Sequence, residues 1–309
     1  MALKRLRFTT LALALSLGAS LLTGCASQKS EGLVIYSGRS ESFISPFLNQ
    51  FTALTGVKLD VRYGDSAALA AQLLEEGVNS PADIFISQDA GALGAISEAG
   101  LLAPLDKRIL DRVEDKYRSS RSDWVGITGR ARVFAYSPER VKTLPSSIDQ
   151  LTLPIFRAKI GIAPTNSSFQ AFITALIQSR GEAAAVNWLE RLKANDVKLY
   201  EKNSQIVAAI DAGEIDLGLV NHYYLWEVSK ALGREIAVAN GFFAPGDTGN
   251  MINVAGAGIL KTSTNLDVSL ELLTYLLSDE VQREFIEKTY EYSLVLKDAN
   301  PVGLPPLSQ

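Results

Sequence analysis

In Ile215-Asp216-Leu217-Gly218-Leu219-Val220-Asn221-His222-Tyr223-Tyr224-Leu225-Trp226-Glu227-Val228, a buried apolar run passes directly into helical periodicity. A short apolar run that ends in a change of period marks a strand feeding a helix, in a sheet covered on both faces. Side chains alternate faces along a strand, so the neighbouring phenols of Tyr223 and Tyr224 converge on one point only where the strand has ended and the helix has begun. Two converging phenols make a ligand geometry. A tyrosine oxygen titrates near 10 and keeps its proton at neutral pH unless a strong positive field stands beside it. A helix N-terminus supplies a little of that field, and a hard trivalent cation far more. The competing reading is a pair of ordinary half-buried aromatics at the start of a packed helix.

The same alternation runs along the rest of the chain. Leu33-Val34-Ile35-Tyr36 reads as a buried strand, 43–55 as an amphipathic helix closed by Gly56, 57–63 as a strand, and 66–76 as a helix stopped by Gly77. Asp83-Ile84-Phe85-Ile86-Ser87 is a further strand, followed by a helix over 90–99 with Gly100 at its end. Later, 133–136 and 159–163 read as strands, and 169–178, 182–193 and 206–212 as helices. The segment 253–260 is glycine-rich and apolar, and 268–288 reads as one long helix containing Ser278-Asp279. The expected class is α/β, with mixed sheets flanked by helices and ligands gathered at strand C-terminal ends. With no repeat and no loose linker, two α/β lobes would be joined by crossing strands, as in hinge-closing binding proteins.

The N-terminus reads as an export signal. Lys4, Arg5 and Arg7 precede an apolar run over 11–22 that is too short for a comfortable membrane span. Leu22-Thr23-Gly24-Cys25 then places small residues before the only cysteine, resembling the lipobox of bacterial lipoproteins, in which Cys25 is lipidated. A plain signal peptide with an incidental cysteine is the alternative. The expected divisions are a signal over 1–24 and a polar tether over 25–31. Removal of Lys4, Arg5 and Arg7 leaves 27 basic residues against 34 acidic ones, a formal charge of −7 that argues against a nucleic-acid partner. The single histidine, His222, and the lone cysteine cannot build the Cys/His sets that zinc and copper favour, so oxygen ligands remain. The same scarcity argues against a Ser-His-Asp hydrolase, and neither a nucleophile elbow nor an HExxH motif is present. His222 itself reads as structural.

Ala163-Pro164-Thr165-Asn166-Ser167-Ser168-Phe169 ends a strand and opens a helix with small hydroxyl residues. Amides at a helix start have no intrahelical partner and favour an anion, to which Ser167 and Ser168 would add hydroxyls. Simple capping by Asn166 or Ser167 explains the same residues. Arg130, in Gly129-Arg130-Ala131-Arg132, is expected just before a strand at the crossing between lobes, as an anion clamp or a salt bridge. Asn203 and Asn221 stand at loop-to-helix junctions, where either would serve as an N-cap.

Tyr36-Ser37-Gly38-Arg39, Pro81-Ala82-Asp83-Ile84-Phe85, Gly129-Arg130-Ala131-Arg132, Pro164-Thr165-Asn166-Ser167-Ser168-Phe169 and Asn221-His222-Tyr223-Tyr224 resemble, in this order, the ferric-ion-binding proteins of bacterial iron ABC transporters. Gly256-Ala257-Gly258-Ile259-Leu260-Lys261 and Glu291-Tyr292-Ser293-Leu294 look like that family's closing segments. The resemblance implies a two-lobed, transferrin-like type II periplasmic-binding-protein fold with its ligand cleft between lobes, here 32–130 with 253–285 and 131–252 with 286–309. It implies Tyr223 and Tyr224 as phenolate ligands of Fe(III). A synergistic carbonate or phosphate would sit on Asn166, Ser167 and Ser168, held by Arg130, Asn203 and Asn221. The chain departs from the family at Ser40 and Gln88, where many members place histidine and glutamate ligands, and it lacks the third tyrosine that some place near Asn166. Tyr36 or Asp89, water or the anion would then complete the coordination, with Ser37, Arg39, Ser40, Gln88 and Asp89 brought onto the ion by closure. The implied protein is a monomeric receptor, lipid-anchored at Cys25, that hands iron to an ABC permease and catalyses nothing. A thiamine, polyamine or oxyanion receptor on the same scaffold, and a purely structural lipoprotein, are the alternatives.

Overall fold

A computed structural model describes residues 32–307, so Cys25, the signal expected over 1–24 and the tether expected over 25–31 lie outside the described residues. The described chain begins with β1 (Leu33–Ser37), α1 (Glu41–Thr55), β2 (Leu59–Tyr63), α2 (Ser66–Glu76), β3 (Ile84–Ser87) and α3 (Ala90–Glu98). After a short α4 (Lys107–Leu110), a long β4 (Val125–Tyr136) leads to β5 (Ile160–Ile162), α5 (Ser167–Arg180), α6 (Glu182–Ala194) and β6 (Lys198–Leu199). Then come α7 (Asn203–Asp211), β7 (Leu217–Asn221), α8 (Tyr224–Leu232) and β8 (Ala239–Gly241), and the chain returns through β9 (Ile252–Ile259), α9 (Leu266–Leu276), α10 (Asp279–Thr289) and β10 (Tyr292–Ser293). Local chemistry accounts for the boundaries. Asp65 accepts from the amides of Ala67 and Ala68 at the start of α2, a cap worth about 1 kcal/mol, and Gly56 ends α1 at a φ of 75° that a side chain would oppose.

The strands follow one path, β2-β1-β3-β9-β4-β7-β5-β6, with β8 and β10 also paired to β4. Pairs β1 with β2, β1 with β3, and β5 with β7 are parallel, whereas β9 and β4 run antiparallel to their neighbours. The sheet is therefore mixed and flanked by helices, as expected. Strand β4 changes partner midway: Val125 to Ala131 pair with β9, and Arg132 to Tyr136 pair with β7. Separate cores flank the two halves. Phe47, Phe51, Leu272 and Phe285 fill one on the β9 side, and Phe134, Phe172 and Trp188 fill one on the β7 side.

Two expectations about elements are corrected. Arg130 does not precede its strand but lies inside β4, which begins eight residues earlier than the expected 133–136. Gly126 and Gly129 interrupt the apolar pattern there because neighbours come too close for side chains. A Cβ on Gly126 would stand 2.6 Å from the Tyr117 carbonyl oxygen. The single helix expected over 268–288 is two helices. Ser278 is extended, with ψ at 149°, and its hydroxyl accepts from the Val281 amide to cap α10, whose first turn carries Asp279 and Glu280.

Candidate functional site

Strand β7 ends at Asn221 and α8 starts at Tyr224, so the chain changes from extended to helical across His222 and Tyr223. That turn puts the two successive rings on one side. They stack with centroids 4.6 Å apart and planes inclined by 29°. Tyr223 is buried and also meets the Phe43 ring of α1, 6.0 Å away. Tyr224 is half-buried, and its hydroxyl lies close to Tyr223 and Asn203. Burial, followed by the neighbouring Tyr223, pushes the Tyr224 phenol far above its ordinary value.

His222 is fully buried between these phenols and β4. Its Nδ1 accepts from the Ala131 amide at 3.0 Å, so its Nε2–H donates to the Tyr290 carbonyl at 2.6 Å. Burial above all lowers its pKa to about 4, so the ring is neutral at pH 7 and its role is structural. Because the folded value lies below the ordinary 6.5, this contribution to stability is complete above about pH 6.5 and is lost as pH falls through about 4. The loss should approach about 3 kcal/mol in the iron-free protein. As the only histidine, its ring is readable by NMR without assignment, and a midpoint near 6.5 would contradict this account.

Beside the phenols lies a network contributed by four elements. Asn166 caps α5 through Oδ1, which accepts from the Ser168 amide at 3.1 Å and from Asn203 Nδ2 at 3.3 Å. Asn221 Nδ2 donates to Ser168 Oγ at 3.0 Å, and its Oδ1 accepts from Arg132 Nη1 at 3.2 Å. Ser167 is exposed at the first turn of the helix, outside these bonds. Two buried polar atoms in the network have no partner, Asn203 Oδ1 and Arg132 Nη2. Burial lowers the Arg132 pKa to about 10, while the charges of Tyr224 and Tyr223 act to raise it.

Arg130, expected in this network, is held elsewhere. It donates through Nη2 to the Gln88 carbonyl, and its Nε lies 3.7 Å from Glu291 Oε1. With the Gln88 amide turned so that its oxygen faces Arg130, Nη1 donates to it at 3.0 Å and the amide nitrogen donates to the Gly38 carbonyl at 3.3 Å. Glu291 is fully buried and accepts from both Arg39 Nη1 and Nη2, at 3.0 and 3.1 Å, and from Thr128 Oγ1 at 2.7 Å. Arg39 lies over the Phe43 ring at 4.5 Å. Arg130 therefore ties the 38–39 and 88 segments to Glu291. It still lies near enough to Tyr223 and Asp89 for their charges to act on it.

Among the remaining expected residues, the Ser37 hydroxyl is engaged with the Arg39 backbone at 3.2 Å, and Ser40 is exposed at the start of α1 with no capping bond. Asp89 caps α3, accepting from the Ala92 amide at 2.9 Å. Tyr36 is not brought to the site. Its side chain packs among Leu69, Leu73 and Phe85, and its hydroxyl donates to Glu76 at 3.0 Å and accepts from Arg62 at 2.9 Å. Burial and Glu76 push it up to about 12, and β1 turns that face away because alternate residues face opposite sides. Sequence reasoning overlooked Arg132 and Glu291. The two-residue period of β4 puts Arg132 on the same face as Arg130, a usable signal; a lone glutamate after a helix offered none. An open cleft of about 930 Å³ is lined by Phe43, Trp226 and Tyr290, and neither Tyr223 nor Tyr224 lines it. Among the described residues, no three His, Cys, Asp or Glu side chains gather into a metal-holding group.

Residues 79–306 match a family described as bacterial extracellular solute-binding protein. The chain is 30% identical over 310 residues to the Fe(3+)-binding periplasmic protein of Serratia marcescens, across 98% of this chain and 91% of that one. The crystal structure of iron-bound HitA from Pseudomonas aeruginosa matches with a TM-score of 0.83 at 32% identity, over 90% of each chain. A Trichodesmium protein in complex with iron and citrate ligands matches with a TM-score of 0.75 at 30% identity, over 89% of this chain and 88% of that one.

Proposed function

The chain belongs to the bacterial extracellular solute-binding proteins, and from that premise we propose that it captures Fe(III) on Tyr223 and Tyr224 for an iron importer. The observation that carries this is the stacked phenol pair at the β7–α8 junction, set against the buried guanidinium of Arg132. Phenolates are hard anionic ligands suited to a hard trivalent cation, and a solute-binding protein releases its solute unchanged. The Serratia relative, named for Fe(3+) binding, and the iron-bound Pseudomonas structure support the choice of ion.

A carbonate or phosphate would share the site, resting on Asn166, Ser167 and Ser168 and reached by Asn203 and Asn221. The citrate bound with iron in the Trichodesmium protein supports a place for an anion beside the metal. Residues 32–130 with 253–285 would form one lobe and 131–252 with 286–309 the other, closing about the strands where β4 changes partners. Closure would bring Ser37, Arg39, Ser40, Gln88 and Asp89 toward the ion, with Arg130 as the link. Removal of an export signal over 1–24 and a lipid on Cys25 would hold a monomer at the outer face of the membrane, beside its ABC permease. Titration of the purified protein with a ferric chelate tests this. A visible tyrosinate charge-transfer band and a raised melting temperature are expected. Saturation with neither would reject Fe(III) and leave an organic or oxyanion ligand for the cleft.

A further inference from the structure

Helix α10 ends at Tyr290, whose φ of 56° lies in the left-handed region that a tyrosine enters at a cost of roughly 1–2 kcal/mol. Such a conformation persists only where the surrounding contacts hold it. The Tyr290 carbonyl accepts from Nε2 of His222, the residue before Tyr223. The next side chain, Glu291, takes both terminal nitrogens of Arg39 at 3.0 and 3.1 Å and shares its carboxylate with Arg130, whose Nε lies 3.7 Å away. Arg39 in turn lies over the Phe43 ring at 4.5 Å, and that ring meets Tyr223 at 6.0 Å. Two adjacent residues thus reach the phenol turn by separate routes, one through His222 and one through Arg39 and Phe43.

We propose that Glu291 is a positioning residue for iron capture, aiming the Tyr223 phenol by fixing Arg39 against Phe43. This rests on the ferric reading above. A guanidinium offers only donors and ligates no cation, so Arg39 acts on a metal through what it holds in place. Tyr224, His222 and Phe43 stand beside the Tyr223 ring, and of these Phe43 alone comes from another element, α1. Among the described residues, Glu291 is the only carboxylate that Arg39 bonds. Without it the guanidinium has no anchor over Phe43, and the phenol is steadied only by its own turn. A ligand whose supporting neighbours are loose spends less time with its oxygen on the metal.

Ferric titration against a competing chelator, read by the tyrosinate band with thermal melting alongside, tests this in two backgrounds, the parent and Tyr223→Phe. In the parent, Glu291→Gln should weaken iron binding about tenfold with the band kept, the lower end of what outer-shell partners of a metal are worth. Arg39→Lys keeps the charge but gives up the two-pronged contact, and should lose about as much. In Tyr223→Phe, which has no phenol at that position to aim, either change should cost about twofold or less. A folded variant with parental affinity, or one that loses as much in Tyr223→Phe as in the parent, overturns the role of Glu291 and leaves phenolate ligation standing. Should Glu291→Gln not fold, because Arg39 and Arg130 then lack their shared carboxylate, Arg39→Lys decides alone. No band in the parent rejects the ferric site itself, and this role with it.

Discussion

Changing both Tyr223 and Tyr224 to phenylalanine should abolish the visible band and lower ferric affinity by about 10⁴-fold or more, while the protein stays folded. The size follows from ligand chemistry: outer-shell partners of a metal are worth roughly 10–100-fold each, and a lost anionic ligand costs at least as much. The fold should survive because phenylalanine keeps the ring that stacks at 4.6 Å and the contact with Phe43, and gives up only the hydroxyl. A hydrogen bond lost with it is worth about 1 kcal/mol. Either single variant should weaken binding by about 10²-fold and shift the band, because one phenolate remains. Competition titration and thermal melting of all three variants measure both quantities. Parent-like iron content in the double variant would place the metal on other residues.

Where local chemistry governs, the chain was legible. Helix α2 lies where Asp65 and Gly77 bracket an apolar period, and the strand-to-helix change at Asn221 to Tyr224 follows from the pattern that precedes it. Legibility fails where burial is achieved without apolar residues. Strand β4 passes through both halves of the sheet carrying Gly126, Thr128, Gly129, Arg130 and Arg132, all buried, so neither hydropathy nor alternation marks its first eight residues. The same cause hid the distribution of charge. The pattern left Arg130 open between an anion clamp and a salt bridge, and it could not name the partner, Glu291, some 160 residues away in the chain, which Arg130 shares with Arg39. Long-range pairing of this kind leaves no trace in spacing. Tyr36 erred in the opposite direction, since a tyrosine at a strand's C-terminal end looks like a cleft residue until Glu76 and Arg62 are seen to occupy its hydroxyl.

Acid should release the iron, with affinity rising by up to about two log units per pH unit below the phenol range. In the iron-free protein, burial and the adjacent Tyr223 make Tyr224 hold its proton more firmly than a phenol in water. Ligation therefore has to displace that proton, and a second leaves with the hydroxyl of Tyr223. Protons are then products of binding, so lowering the pH drives the equilibrium toward the free ion, and raising it does the reverse. Buried His222 cannot account for such a slope. Its pKa of about 4 keeps it neutral throughout the range from pH 6 to 8 in which affinity would be measured. Affinity against a chelator of known protonation, together with protons released on adding iron to weakly buffered protein, gives the stoichiometry directly. With iron delivered as a chelate, and after subtracting the protons exchanged by the chelator and by the anion, close to two should appear with the parent, about one with either single phenylalanine variant, and almost none with the double variant. Affinity that stays flat across that range would mean the phenols are spectators, because no arrangement of two protonated tyrosines can bind Fe(III) through their oxygens without releasing what they hold.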